Sequence, residues 1–235
     1  MKKILFLLFP IISYGQMTIT GVSNGYQTLG IASAGTGAYA VGDFFIAFCG
    51  TTNSGGTPAT VSLAGTSQTW TQIGSALNIS GDYRIQAFRW AATTSAGSGT
   101  INVTYTGTQD GGWMIVLKVT GADVTGTNGS NGIVQFANDA QNTDANPDIT
   151  MSVISNSRNS VVCGFINNQN PFGGGPESSW TEYGEGGYNT PTTGGYTMYR
   201  TGTTDNTPTV TASASNWAGI AIELKASGRR IIITN

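Results

Sequence analysis

Apolar residues in this chain occur in short, strand-length segments, and no stretch repeats them with the 3.6-residue spacing of an amphipathic helix. Gly, Asn and Thr separate the segments, as turn residues do between strands. Residues 101–105 alternate apolar and polar side chains, which is typical of a strand with one buried face. Residues 44–48, 113–117 and 220–224 are apolar almost throughout, as in strands buried on both faces. The chain is therefore predicted to be all-β.

The order of these segments in the first half of the chain recurs in the second half. Each half has an apolar strand, a Trp-Thr turn followed by Gly, an aromatic strand with arginine, and a closing apolar strand led by Trp. The four pairs are GDFFIAFCG at 42 with NSVVCGFIN at 159, TWTQIG at 69 with SWTEYG at 179, YRIQAFRW at 83 with YTMYR at 196, and GGWMIVLKV at 111 with SNWAGIAIEL at 215. Trp70 then corresponds to Trp180 and, with one residue of slack, Lys118 to Glu223.

This period is far longer than a solenoid unit. It predicts an antiparallel β-sandwich, jelly-roll-like and built from two pseudo-repeats, about 42–121 and 159–226, in which each half supplies a Greek key. The alternative is two tandem Ig-like sandwiches. Because the join at 122–148 has no Pro- or Ser-rich linker, we favour one β-sandwich domain over 16–227, with 228–235 as a C-terminal tail.

The first fifteen residues combine Lys2 and Lys3 with an apolar run and a small residue at the end, which predicts a secretory signal peptide over 1–15. No later stretch has the apolar length of a transmembrane helix. The expected location is secreted, extracellular or at the cell surface.

Charge is scarce, since only 9% of the residues are charged. Removal of Lys2 and Lys3 leaves eight basic and twelve acidic residues, so nucleic acid is not an expected partner. Because low charge weakens repulsion between copies, self-association is an expected property.

The strand and turn signals resemble a loosely defined set of β-sandwich modules found in bacterial secreted or adhesive proteins and in phage tail or virion proteins. The features that carry the resemblance are the GD-led strand, the xWTxxG turn, Trp90-Ala91-Ala92, the SAGSGTINVTYT strand and the VTGAD ending. They span about 42–226. The resemblance implies a sandwich fold and a non-catalytic adhesive or structural role.

The chain has no histidine, which excludes Ser-His-Asp and Cys-His nucleophile systems and HExxH metalloproteases. A glycosidase needs only two carboxylates, so Glu177, Glu182 and Glu185 are candidates for that chemistry. Acidic residues in a glycine-rich loop are also ordinary solvated side chains. We therefore predict no enzyme activity and keep a carboxylate-dependent glycosidase as the distant alternative.

Residues 167–199 interleave aromatic residues with glycine, and aromatic rings on loops can stack on sugars. Phe172, Tyr183 and Tyr188 are candidate ligand-binding residues, with Tyr188 favoured. In the first half, Trp90 and its neighbour Arg89 are further candidates, because Arg84, Gln86, Phe88 and Trp90 share one strand face. The alternative for all of these rings is a place in the core.

Asp139, Asp144 and Asp148 lie in an Asx-rich stretch predicted to be a loop, and they offer oxygen ligands for a structural calcium ion. No other cofactor is expected. Cys49 and Cys163 could form a disulfide in an exported protein, although the alignment of Asp43 with Ser160 puts them on opposite faces of equivalent strands. Two buried thiols are the alternative.

These patterns together predict a secreted, non-catalytic binding or adhesion module that takes a glycan or surface polymer through aromatic loops. The alternative is a structural subunit of an extracellular assembly or virion.

Overall fold

The computed structural model describes residues 16–31, 33–65 and 68–228. The predicted signal peptide and the C-terminal tail beyond Gly228 lie outside these residues. The strands of the first repeat are β1 (Thr18–Thr28), β2 (Ser33–Tyr39), β3 (Phe44–Thr52), β4 (Thr60–Gly65), β5 (Gln68–Thr69), β6 (Thr71–Ile79), β7 (Tyr83–Ala91), β8 (Gly97–Thr106) and β9 (Gly111–Thr120). Those of the second repeat are β10 (Ile133–Asp144), β11 (Ser160–Asn167), β12 (Gly174–Pro176), β13 (Thr181–Asn189), β14 (Thr192–Arg200), β15 (Val210–Ala212) and β16 (Ser215–Leu224).

The two repeats have the same strand order. The large sheet of the first repeat is β1-β9-β3-β7-β6, and the large sheet of the second is β10-β16-β11-β14-β13, with all neighbours antiparallel. The prediction of an all-β antiparallel sandwich built from two pseudo-repeats is confirmed. Each repeat also includes a strand, β1 or β10, that precedes the sequence landmarks.

A smaller set of strands covers the outer face of each large sheet. In the first repeat it is the sheet β2-β8-β4-β5. In the second it is the ladder β12-β15, extended by a bridge between Asp148 and Thr209. In the first repeat, the order β1-β9-β3-β7 facing β2-β8-β4-β5 is that of a jelly roll. The second repeat has the same large-sheet order under a shorter outer layer.

The layers follow from the apolar runs. All nine residues of β3 and all eight of β11 are buried, so each large sheet needs a partner layer on both faces. A central core lies between the two large sheets, and an outer core lies beneath each smaller layer. Strand β8 is covered by protein on one face only, because Ile101 faces the outer core while Asn102 and Thr104 face solvent, as the alternation predicted.

The two repeats interlock through aromatic rings that lie on glycines of the opposite repeat. A Cβ atom on any of these glycines would overlap the ring. Rings of the first repeat cover glycines of the second in the pairs Phe48–Gly164, Trp113–Gly195 and Tyr26–Gly186. Rings of the second repeat cover glycines of the first in the pairs Tyr183–Gly21, Tyr188–Gly111 and Phe136–Gly74. Much of the glycine-and-aromatic pattern therefore belongs to the contact between repeats.

The pairing registers fix how the repeats correspond. Lys118 and Glu223 occupy corresponding positions in the closing strands. The residue after Lys118 pairs with Phe44, and the residue after Glu223 pairs with Ser160. Phe44 is therefore equivalent to Ser160, and the alignment of Asp43 with Ser160 is wrong by one residue. In the same way Thr71 pairs with Arg89 and Thr181 with Tyr199, which supports the correspondence of Trp70 with Trp180.

Candidate functional site

Trp90 lies in the outer core of the first repeat. Its ring stacks on Phe45 with the centroids 4.9 Å apart and contacts the edge of Tyr39 at the same distance. Only 5% of Trp90 is exposed, because sheet β2-β8-β4-β5 covers the face that Trp90 shares with Gln86 and Phe88. The shared face is as predicted, but the expectation of an open ring at Trp90 is wrong. The ring of Trp70, 6.1 Å from that of Trp90, is half-buried.

The aromatic candidates of the second repeat are also packed against protein. Phe172 is fully buried and stacks on Tyr196 at 5.2 Å. Tyr188 is buried in the central core, where its hydroxyl lies 2.9 Å from Thr52 Oγ1, and burial raises the pKa of its phenol. Tyr183 is half-buried, with its ring over a glycine of β1. Phe172 and Tyr188 therefore have no open face for stacking on a ligand, and the ring of Tyr183 is covered on the side that contacts β1.

A pocket of about 330 Å³ opens at the end of β7. Its wall combines the end of β5, the segment that leads from β7 to β8, and the helical turn between the repeats. The lining residues are Thr69, Trp90, Ala91, Ala92, Thr93, Thr94, Ser95, Thr127 and Asn128. We call this the outer-layer pocket. It is the place where one predicted residue, Trp90, borders a cavity.

Asn128 holds the pocket together. It lies in the 3₁₀ helix Thr127–Gly132 with φ 50° and ψ 44°, a left-handed conformation that Asn tolerates. Its side-chain amide donates to the carbonyl of Thr69, to Thr71 Oγ1 at 2.9 Å and to the carbonyl of Arg89 at 3.3 Å. Its Oδ1 accepts from the Ala91 amide at 3.1 Å. One side chain therefore fixes the inter-repeat turn to three strands.

Arg89 stands behind this turn and does not line the pocket. Its Nε donates to the carbonyl of Asn128 at 3.2 Å, and burial lowers the pKa of its guanidinium. Arg89 thus supports the pocket wall, while its predicted role as a ligand contact has no geometric support.

The lining chemistry is polar and uncharged. Five of the nine lining residues carry hydroxyls, while the side-chain amide of Asn128 is engaged in the hydrogen bonds of the wall itself. Hydroxyls both donate and accept hydrogen bonds, so such a wall suits a ligand with many neutral hydroxyl groups. It contains no carboxylate, thiol or imidazole that could act as a nucleophile or general base.

Cys49 and Cys163 are free and buried, so the disulfide expectation is wrong. The corrected register places both on the outward face of their strands, Cys49 in the outer core of the first repeat and Cys163 in that of the second. The two large sheets and the central core lie between them. Burial raises the pKa of both thiols.

The Asx-rich stretch is largely strand, not loop, since β10 runs to Asp144. Asp139 accepts from the Ala140 amide at 2.7 Å, and Asp144 accepts from Trp217 Nε1 at 3.3 Å. Asp148 lies beyond the strand in the bridge to Thr209. Among the described residues no three acidic, Cys or His side chains form a group suited to a metal ion. Structural calcium stays a prediction without converging ligands.

Two of the three glutamates suggested for glycosidase chemistry, Glu177 and Glu185, accept hydrogen bonds from backbone amides. Glu185 Oε1 accepts from the Gly173 amide at 2.5 Å, and Glu177 Oε1 accepts from the Thr209 amide at 3.2 Å. Partial burial raises the pKa of Glu182, with a further contribution from the charge of Glu185. Burial likewise raises the pKa of Glu177. These contacts do not point to catalysis.

A polar network links this region to the end of β14. Asp205 Oδ2 accepts from Arg200 Nη1 at 3.0 Å and from Trp180 Nε1 at 2.9 Å. Arg200 occupies the position that corresponds to Trp90, because Phe45 pairs with Trp90 and its equivalent Val161 pairs with Arg200. The same position is aromatic in one repeat and charged in the other.

Sequence reasoning missed most of the pocket, namely Thr93, Thr94, Ser95, Thr127 and Asn128. Threonine, serine and asparagine occur in most connections of this chain, so nothing in their pattern separates a pocket wall from an ordinary turn. A usable signal was the chain's lack of charge from Trp90 to Gln109.

No helix in the described part of the chain has the length and apolar character needed to cross a membrane. Comparison of the chain with family models, with curated proteins and with solved structures gives no match. The resemblance to secreted and virion β-sandwich modules therefore stays a prediction.

Proposed function

We propose that this protein is an exported, non-catalytic binding module that takes a neutral glycan or surface polymer in the outer-layer pocket. The observation that carries the proposal is a pocket wall in which five of the nine residues carry hydroxyls and none is charged. Neutral hydroxyl groups, which both donate and accept hydrogen bonds, suit a sugar better than an ion or a lipid. Of the aromatic residues first expected to bind the ligand, Tyr183 and Tyr188 pack between the two repeats and Phe172 packs in the outer core of the second.

The pocket is built on firm supports. Trp90 is fixed by two ring contacts beneath the pocket, and Asn128 fixes the wall that faces it. Preorganised polar groups lose little conformational entropy when a ligand binds, which favours affinity from a small number of hydrogen bonds. The remaining mobile groups are the short side chains of Thr93, Thr94 and Ser95, which are exposed.

The test is a glycan-array screen of the purified chain from Gln16, run beside Ser95→Glu and Thr211→Glu. Ser95 lines the pocket, whereas Thr211 is an equally exposed residue on β15 of the second repeat. We expect binding to uncharged glycans, its loss in Ser95→Glu and its retention in Thr211→Glu. Equal binding by Ser95→Glu and the unmodified chain would contradict the pocket.

The second candidate is a structural subunit of an extracellular assembly. Leu29, Val41 and Val153 favour it, because these apolar residues are 73%, 58% and 81% exposed. Scattered apolar side chains on a chain with few charges promote contacts between copies. No glycan binding together with a concentration-dependent increase in mass would support this role in place of the first.

A further inference from the structure

The outer-layer pocket continues onto the solvent face of the four-stranded sheet. Thr69, which lines the pocket, pairs with Ala64 of β4. Ala64 pairs in turn with Asn102 of β8, and Asn102 pairs with Ser33 of β2. All four residues are exposed, so they form a row that leads from the pocket across the sheet.

This face has an unusual chemistry for a protein surface. Strands β2, β4, β5 and β8 contain no Asp, Glu, Lys or Arg. Surfaces of soluble domains are commonly about a quarter to a third charged. Most exposed positions of β4 and β8 carry hydroxyls or an amide, namely Thr60, Ser62, Ser98, Thr100, Asn102, Thr104 and Thr106, and the other two are Ala64 and Gly97.

The polar groups on the face are mostly uncommitted. Thr60 Oγ1 donates to the carbonyl of Thr106 at 3.3 Å. Within the described residues the side chains of Ser62, Thr100 and Thr104 form no hydrogen bond with other protein groups. Alternate residues of β8 bring Thr100 to Thr106 over a distance of about 20 Å at the usual rise of a strand.

We infer that the ligand is a long, uncharged polysaccharide chain, which fills the outer-layer pocket with one part and lies along this hydroxyl face with the rest. The inference rests on the proposed function and specifies its ligand class. Charge complementarity carries it, because a neutral polymer is the partner that loses no ionic contact on an uncharged face and can use every free hydroxyl. The face extends beyond the reach of a single sugar unit in the pocket.

The experiment is affinity electrophoresis in native gels that contain hydroxyethylcellulose, galactomannan, dextran or β-1,3-glucan, with carboxymethylcellulose as the anionic comparison. The proteins are the unmodified chain, Thr104→Glu on the face, Ser95→Glu in the pocket and Thr211→Glu as the matched control. Melting temperatures establish that each variant is folded. Binding of short oligosaccharides of the retarding polymer is measured in parallel by calorimetry.

We expect at least one neutral polymer to retard the unmodified chain, and carboxymethylcellulose to retard it less. Thr104→Glu should weaken polymer binding about tenfold or more, because a polymer lying on the face would cover the new carboxylate and leave it without a partner. Short oligosaccharides, which reach only the pocket, should bind as before. Ser95→Glu should lose the binding of the polymer and of the short oligosaccharides. If Thr104→Glu binds the polymer unchanged and Ser95→Glu does not bind it, the inference that the polymer lies on the face is wrong, while the proposed binding in the pocket stands. No retardation by any neutral polymer overturns both.

Discussion

The two repeats share a strand order but differ in their outer layers. In the first repeat the outer core is closed by a four-stranded sheet over Phe45 and Trp90, and its solvent face is uncharged. In the second, the outer layer is a two-stranded ladder with loops, and the Arg200–Asp205 pair joins the end of β14 to the loop that follows it. The inner faces, by contrast, are matched ring to glycine across the central core.

This difference shows where the sequence is free to vary. A residue on the inner face must fit a partner in the opposite repeat, so its size is constrained by close packing. A residue on the outer face packs only against the covering layer of its own repeat. The outer layer is therefore where one repeat can acquire a binding surface that the other lacks.

The largest expected contrast is in thiol reactivity, because it tests whether both outer cores are closed. Cys49 and Cys163 should be unreactive toward a thiol reagent in the native protein, with rates slowed on the order of 10³-fold or more, since labelling requires unfolding. Denaturation without reductant should expose two thiols per chain. Two unreactive sulfurs in the denatured chain would instead mean a disulfide.

Trp113→Ala tests the central core. Trp113 is 1% exposed and lies between Gly50 of its own sheet and Gly195 of the other repeat. Its removal should lower the free energy of unfolding by about 3–5 kcal/mol, as for other buried aromatic truncations. Trp70→Ala, at a half-buried site, should cost less. Urea denaturation checks the order, and equal costs would show that the central core is not the better packed region.

Gly164→Ala tests the ring-on-glycine contacts with one methyl group. The added Cβ would approach the ring of Phe48 to 2.5 Å, and overpacking of this kind costs about 1–3 kcal/mol. Gly175→Ala is the matched control, because nothing lies within 4 Å of its Cβ position. Thermal denaturation of both variants makes the comparison. Equal melting temperatures would contradict the interlocked interface.

Asp205→Asn should have the smallest effect. The Arg200–Asp205 pair is partly exposed, with side-chain exposures of 31% and 25%, so its loss should cost about 0.5–1 kcal/mol of unfolding free energy. Glycan binding should not change, since the pair lies in the second repeat. A loss of binding on this substitution would show that the outer layers do not act separately.

Strand-length apolar runs and turn residues were sufficient to predict the all-β sandwich and its two pseudo-repeats. The register was harder, because the opening strands β3 and β11 are buried throughout and share no residue in the correct register, so Asp43 instead of Phe44 was matched to Ser160. Phe172 and Tyr188 were offered as ligand contacts because local sequence does not reveal their distant partners. Tyr188 lies on Gly111, which is 77 positions earlier in the chain.

The most direct test of the account is hydrogen–deuterium exchange of the folded chain with and without a saturating neutral polysaccharide that retards it in gels. With the polysaccharide bound, amide exchange should be slower at the pocket segment 93–95, the inter-repeat turn 127–128 and strands β4 and β8. Exchange in the second repeat should be unchanged. Protection confined to the loops at 167–180 and 201–209, or spread equally over both repeats, would contradict the assignment of binding to the outer layer of the first repeat.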